Sequence, residues 1–142
     1  MSEIKRTATG TWQGTLGDGS GSMSTTSGVL RETSFSFATR FGNEEGTNPE
    51  EMIAAAHAGC YSMALANYLH EQGHAVQEIR TRAAITLEGE KISRATLEVE
   101  GTVEGLNEEE FRKLAAEADQ KCPVSNLLRP GLEISHKVAL RR

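Results

Sequence analysis

Hydrophobic residues are densest between Thr47 and Gly73, read TNPEEMIAAAHAGCYSMALANYLHEQG. At a period of 3.6 residues they fall on nearly every face, which is the pattern of a buried helix rather than a surface one. The ends are marked. Pro49 suits the first helical position, because its missing N–H has no helical partner there. Asn48 is then the N-cap, and Glu51 stands where a capping box would reach back to it. Glu50 and Glu51 face the positive end of the helix dipole, and Gly73 is a natural stop. At about 1.5 Å per residue the helix is roughly 36 Å long, the dominant element of a chain of 142 residues.

On its N-terminal side the pattern has period two. Residues 3–14 read as a strand with Trp12 near its end, and Gly17, Asp18, Gly19 and Gly21 make a turn. Residues 22–30 are polar, Ser- and Thr-rich, and suit an edge strand at best. Thr33 to Phe41 reads as a strand with Phe35, Phe37 and Phe41 on one face and Arg40 directed to the other.

After Gly73, Ile79, Ala83, Ile85 and Leu87 share one side of a strand over 76–87. Ala95, Leu97, Val99, Gly101 and Val103 alternate over 91–103, and the loop Glu88-Gly89-Glu90 makes the two a hairpin. Asn107 and Glu110 form a capping box ahead of Phe111, Leu114, Ala115, Ala118 and Cys122, spaced i, i+3, i+4, i+7 and i+11. Pro123 stops that helix and starts a short one over 123–128 with Cys122 as its cap. Leu132, Ile134, His136, Val138 and Leu140 alternate in a final strand. The element order β-β-β-α-β-β-α-β predicts an α+β fold, with no repeat or linker to divide residues 1–142, so a single domain is expected. A helix apolar on all sides needs more cover than one small sheet provides. A homodimer that packs two such helices together would supply it; one curved sheet wrapping the helix is the competing account.

Charge narrows the function. Net charge is −5 with acidic and basic residues interspersed, and no basic block or basic–aromatic interleaving points to nucleic acid. The long helix carries His57, Asn67 and His70 and is Ala-rich, unlike a membrane span. No apolar run follows the charges of MSEIKRTATG, so a cytoplasmic protein is expected. Two cysteines make no disulfide scaffold; in a reducing compartment such a pair is redox-active, metal-binding or merely buried.

Cys60 lies mid-helix, where a thiol is either a small inert hydrophobe or, with a cation brought to it, a reactive thiolate. Cys122 in KCPVS sits at a helix start, which favours a thiolate. His57, one turn before Cys60, reads as a base for the thiol or as a hydrogen-bonded core residue. No CxxC or HExxH is present, so a metal site is poorly supported. Glu50 is ten residues from Cys60, about 15 Å along a straight helix, so the two meet only if the helix breaks or a second subunit contributes.

STTSGVL (24–30), FATRF (37–41), GTNPEEMIAAAHAGCYSMAL (46–65) and KCPVSNLL (121–128) together resemble the osmotically inducible protein C family, OsmC/Ohr, and its OsmC branch in particular. Gly59 and Tyr61 stand where that family commonly has Ala and Phe. The resemblance implies antiparallel sheets packed around a long central helix in an intertwined homodimer. It implies a thiol peroxidase acting on organic hydroperoxides, with Cys60 as the peroxidatic cysteine, Cys122 as the resolving one, and Arg40 and Glu50 as the charged pair at the thiolate. It also implies no bound cofactor, and a dithiol reductant such as dihydrolipoamide or a lipoylated protein. Met63, Phe35 and Phe37 are candidates to line one apolar pocket. Two other classes remain open: a non-enzymatic, stress-induced binding protein, and a thiol–disulfide oxidoreductase acting on proteins.

Overall fold

The computed structural model describes residues 3–141. The chain packs as two compact units, Met1–Met52 and Ile53–Arg142.

The first unit holds an antiparallel three-stranded sheet, β1 (Ala8–Gln13), β2 (Ser20–Thr25) and β3 (Thr33–Phe35), in that order. β3 is shorter than its period-two pattern predicts. Ser36 caps a one-turn helix, α1 (Phe37–Phe41): its Oγ accepts from the Thr39 N–H while Thr39 Oγ1 accepts from the Ser36 N–H. That reciprocal cap satisfies the backbone locally and takes Phe37, Arg40 and Phe41 out of the sheet. Phe37 and Phe41 become an i, i+4 pair with ring centroids 5.0 Å apart.

The long helix α2 (Pro49–Glu71) runs unbroken, as its sequence predicts. Asn48 Oδ1 accepts from the Glu51 N–H as an N-cap, whereas the Glu51 carboxylate takes the Thr47 hydroxyl instead of completing a capping box.

In the second unit β4 (Val76–Glu88) and β5 (Lys91–Val103) form the expected antiparallel hairpin. α3 (Glu108–Asp119) and α4 (Pro123–Leu128) follow, then β6 (Glu133–Arg141). The sheet order is β4-β5-β6, and β6 runs parallel to β5, so the expectation of purely antiparallel sheets is corrected here. The two helices form a crossover that returns the chain to the end of the sheet where β5 began, and a strand reached that way runs parallel.

The core lies between the inner face of this sheet and α2 and α3. Tyr61, Leu65 and Leu69 from α2 meet Leu97, Val99 and Val103 from β5 and Phe111, Ala115 and Ala118 from α3. Gly101 is there because α3 comes so close: a Cβ at that position would run into the Phe111 ring. Polar ties also join α2 to its neighbours. Tyr61 donates to the Ala115 carbonyl at 2.6 Å, Tyr68 to Glu117 at 2.6 Å and Ser62 to Thr81 at 2.7 Å. The first accounts for Tyr61, whose buried hydroxyl has a partner waiting on α3. Within one chain the burial of α2 is one-sided. Only the stripe His57, Tyr61, Leu65 and Leu69 is fully buried, while Ala55, Ala56, Gly59 and Met63 are exposed. A curved sheet wrapping the whole helix is therefore excluded.

Candidate functional site: a dithiol and a buried polar cluster

Cys60 and Cys122 are both free and their sulfurs are 3.4 Å apart. α2 presents Cys60 one residue before the buried Tyr61, at the edge of the core stripe. Cys122 is wholly buried and is the N-cap of α4, with Pro123 in the first turn. Its N–H donates to the Asp119 carbonyl at 3.3 Å, and its own carbonyl receives the Asn126 N–H at 2.9 Å. Burial pushes the Cys60 thiol up from its ordinary value; the Val124 N–H opposes this, and the neighbouring Cys122 adds to it. An open cavity of about 420 Å³ reaches Cys60, bordered by Met63, Ala64, Asn67, Lys121 and Pro123.

In the first unit Arg40 and Glu50 form a bidentate ion pair. Arg40 Nε donates to Glu50 Oε1 at 3.0 Å and Nη2 to Oε2 at 2.8 Å. Glu50 is 8% exposed. The Arg40 hydrogen bonds hold its carboxyl below the usual range against the opposing effect of burial, and Glu50 raises the Arg40 guanidinium in return. The guanidinium lies 5.1 Å from the Phe41 ring centroid. Arg40 is thus beside the Phe residues rather than directed away from them, because α1 replaces the end of the strand. With Trp12, Leu16, Phe35, Phe37 and Phe41 it lines a cavity of about 440 Å³. Phe35 and Phe37 border this cavity, and Met63 borders the one at Cys60.

His57 is not paired with a thiol. Its Nε2 is 2.7 Å from Ser125 Oγ, with both residues wholly buried. Behind them lies Asp119, 3% exposed. Arg129 Nη2 donates to its Oδ2 at 2.5 Å, and His136 Nε2 is 3.4 Å from the same oxygen. Burial alone would raise the Asp119 carboxyl, but His136, Ser125 and Arg129 together outweigh it and bring the carboxyl down to about 2. Burial also lowers the His57 pKa, with Asp119 acting the other way, and so the ring is neutral at pH 7.

Asp119, Ser125, Arg129 and His136 were not candidates from the sequence, although two left a trace. Asp119 occupies position i+8 of the apolar stripe that starts at Phe111, and His136 interrupts the apolar face of β6. A polar residue in an apolar register is a sign of a buried partner.

The cluster predicts acid sensitivity. Asp119 has a folded-state value of about 2 against an ordinary 3.8, so its stabilisation is complete above pH 4 and disappears as pH falls toward 2. By linkage the difference is about 2 kcal/mol. Urea unfolding of the wild type and Asp119→Asn from pH 6 to 2 should show the stability gap between them shrinking over that window. A gap independent of pH would mean that the folded-state carboxyl is not depressed.

Two free thiols in contact, one on a long core helix and the other capping a short helix beside it, make a candidate dithiol site on an α+β scaffold. The OsmC-like protein family model matches residues 42–137. Peroxiredoxin OsmC of Escherichia coli (strain K12) is 39% identical over 131 residues, covering 89% of this chain and 92% of that protein. Organic hydroperoxide resistance protein-like 1 of Staphylococcus saprophyticus is 28% identical over 101 residues, 68% of this chain and 72% of that protein. The crystal structure of an organic hydroperoxide resistance protein from Elizabethkingia anophelis superposes with a TM-score of 0.74 at 25% identity, covering 99% of this chain and all of that one (100%). The chain belongs to the OsmC-like family. It is a cysteine-based peroxidase of the stress-defence type. Among the described residues no helix is long and apolar enough to cross a membrane, and no group of His, Cys, Asp and Glu is placed to hold a metal ion.

Proposed function

We propose that the protein reduces organic hydroperoxides to alcohols, with Cys60 as the peroxidatic thiol and Cys122 as the resolving one. The observation that carries this is the 3.4 Å separation of the two sulfurs. A disulfide needs about 2.05 Å, so the pair closes by a little over an ångström. The Cys60 thiolate attacks the peroxide oxygen, the O–O bond breaks, and the leaving alkoxide takes a proton to become an alcohol. Cys60 is left as a sulfenic acid. The Cys122 thiol condenses with it, releasing water and forming the disulfide. An external dithiol, of the dihydrolipoamide or lipoylated-protein kind, then reduces the disulfide by exchange, and no resident cofactor is required.

Burial within one chain keeps Cys60 protonated, so the thiolate needs a cation. We assign that role to Arg40, held in position by Glu50. Glu50 and Cys60 lie ten residues apart on one unbroken helix, so the charged pair at each Cys60 is that of a second copy in a homodimer. The exposed apolar face of α2 and the cavity beside Arg40 support this arrangement. Apolar lining of that cavity favours alkyl or aryl hydroperoxides over hydrogen peroxide. The expected compartment is the cytoplasm, where thiols stay reduced.

The test is to reduce the protein, remove the reductant and add one equivalent of cumene hydroperoxide. Both thiols should disappear rapidly, with an intact mass lower by two hydrogens. Survival of both thiols in excess peroxide would end this reading.

A further inference from the structure

α4 has only six residues, too few to hold a helical conformation or a position unaided. Yet it starts at the resolving cysteine, whose sulfur must meet Cys60. Something outside α4 has to fix it against α2. His57 lies one helical turn before Cys60 on α2, and Ser125 lies three residues after Cys122 on α4. The His57–Ser125 hydrogen bond at 2.7 Å is therefore a second rung, one turn away from the sulfur pair on both helices. The rung is anchored from behind. Asp119, whose carboxyl Ser125 helps to hold ionised, is the last residue of α3, and Arg129 ties the same carboxylate to the residues following α4. Arg129 Nη1 also donates to Asn126 Oδ1 at 2.6 Å, and Asn126 Nδ2 to the Gln120 carbonyl at 3.0 Å. These bonds brace the turn that carries Cys122 on both sides.

We propose that His57 and Ser125, braced by Asp119 and Arg129, are positioning residues that hold α4 in register with α2 so that Cys122 meets Cys60. The assignment rests on the two-cysteine reading of the site. Its consequence is a division between two fates of the Cys60 sulfenic acid. Cys122 condenses with it, losing water and giving the disulfide; a second hydroperoxide molecule oxidises it to the sulfinic acid and leaves as the alcohol. A clamp that keeps Cys122 in reach favours the first. His57 and Ser125 touch neither the peroxide nor the sulfurs in this account. They act through the placement of α4.

Two measurements on full-length protein test the clamp, with Ser125→Ala, His57→Leu and His57→Gln beside the wild type. The first needs no peroxide: equilibrium of the dithiol with glutathione disulfide, in which two thiols become one disulfide and two glutathiones are released. The second is the yield of sulfinic acid, read as a mass gain of two oxygens, over a titration with cumene hydroperoxide. For the loss of one buried hydrogen bond, Ser125→Ala and His57→Leu should lower the equilibrium constant and raise the sulfinic yield, each by roughly three- to tenfold. His57→Gln should restore both to within about twofold, since its amide, which can donate or accept, reaches Ser125 Oγ as the imidazole Nε2 does. Thermal unfolding of the reduced proteins identifies any variant that has not folded, and Ser125→Ala then carries the comparison alone. Wild-type values in folded Ser125→Ala would overturn the clamp. A wild type that equilibrates with glutathione but ignores peroxide would overturn the peroxidase reading, leaving the clamp to be judged on the equilibrium constant.

Discussion

Cys60→Ser should abolish peroxide consumption, with a loss of roughly 10³-fold or more, since removing a catalytic nucleophile removes the whole covalent route. A serine hydroxyl at the same position has no thiolate to offer, and the burial that already disfavours the Cys60 thiolate disfavours an alkoxide more strongly. Cys122→Ser should behave differently. Its first equivalent of cumene hydroperoxide should still be consumed, because the roles proposed for Cys60 and Arg40 are untouched by the change. Turnover with dithiol should fall, no disulfide should form, and excess peroxide should carry Cys60 to the sulfinic acid. Coupled peroxidase assays and intact masses on both variants check this. If Cys60→Ser retains turnover and Cys122→Ser loses the first equivalent, the roles assigned to the two cysteines are reversed.

The largest stability effect should come from Phe111→Ala, at about 3–5 kcal/mol. Phe111 is wholly buried, and its ring rests on the bare backbone of Gly101 beside the Ile79 side chain. Collapse around the vacated volume is limited because the surface beneath is a β-sheet strand held by two neighbours. For a protein of this size the midpoint of thermal unfolding should drop by roughly 10 °C. Denaturant unfolding of the reduced protein gives the free energy directly. A loss below about 1.5 kcal/mol would mean that the site relaxes and that α3 does not seal the core.

The two thiols were more legible as candidates than their neighbourhood was. Cys60 and Cys122 stand out as two cysteines at a helix centre and a helix start, and Arg40 and Glu50 entered through the family resemblance. Sequence spacing said nothing of the 3.4 Å between the sulfurs, which are 62 residues apart along the chain. The Asp119 cluster was overlooked for the same reason. Asp119, Ser125, Arg129 and His136 come from α3, α4, the turn after it and β6, and only the crossover brings them to one point.

Local rules fixed what depends on neighbours in sequence. Asn48 with Pro49, Asn107 with Glu110, and Cys122 with Pro123 place three helix starts where backbone N–H groups need partners. Period-two alternation placed β4, β5 and β6 and the faces they bury. Where two local rules competed, at Thr33–Phe41, alternation lost to the Ser36–Thr39 cap, because a satisfied backbone cap ends a strand whatever its side chains suggest. Strand direction, the one-sided burial of α2 and the meeting of the thiols were tertiary decisions. Each depends on where a crossover delivers the chain and how much surface one sheet covers, and neither is written in any short stretch of residues.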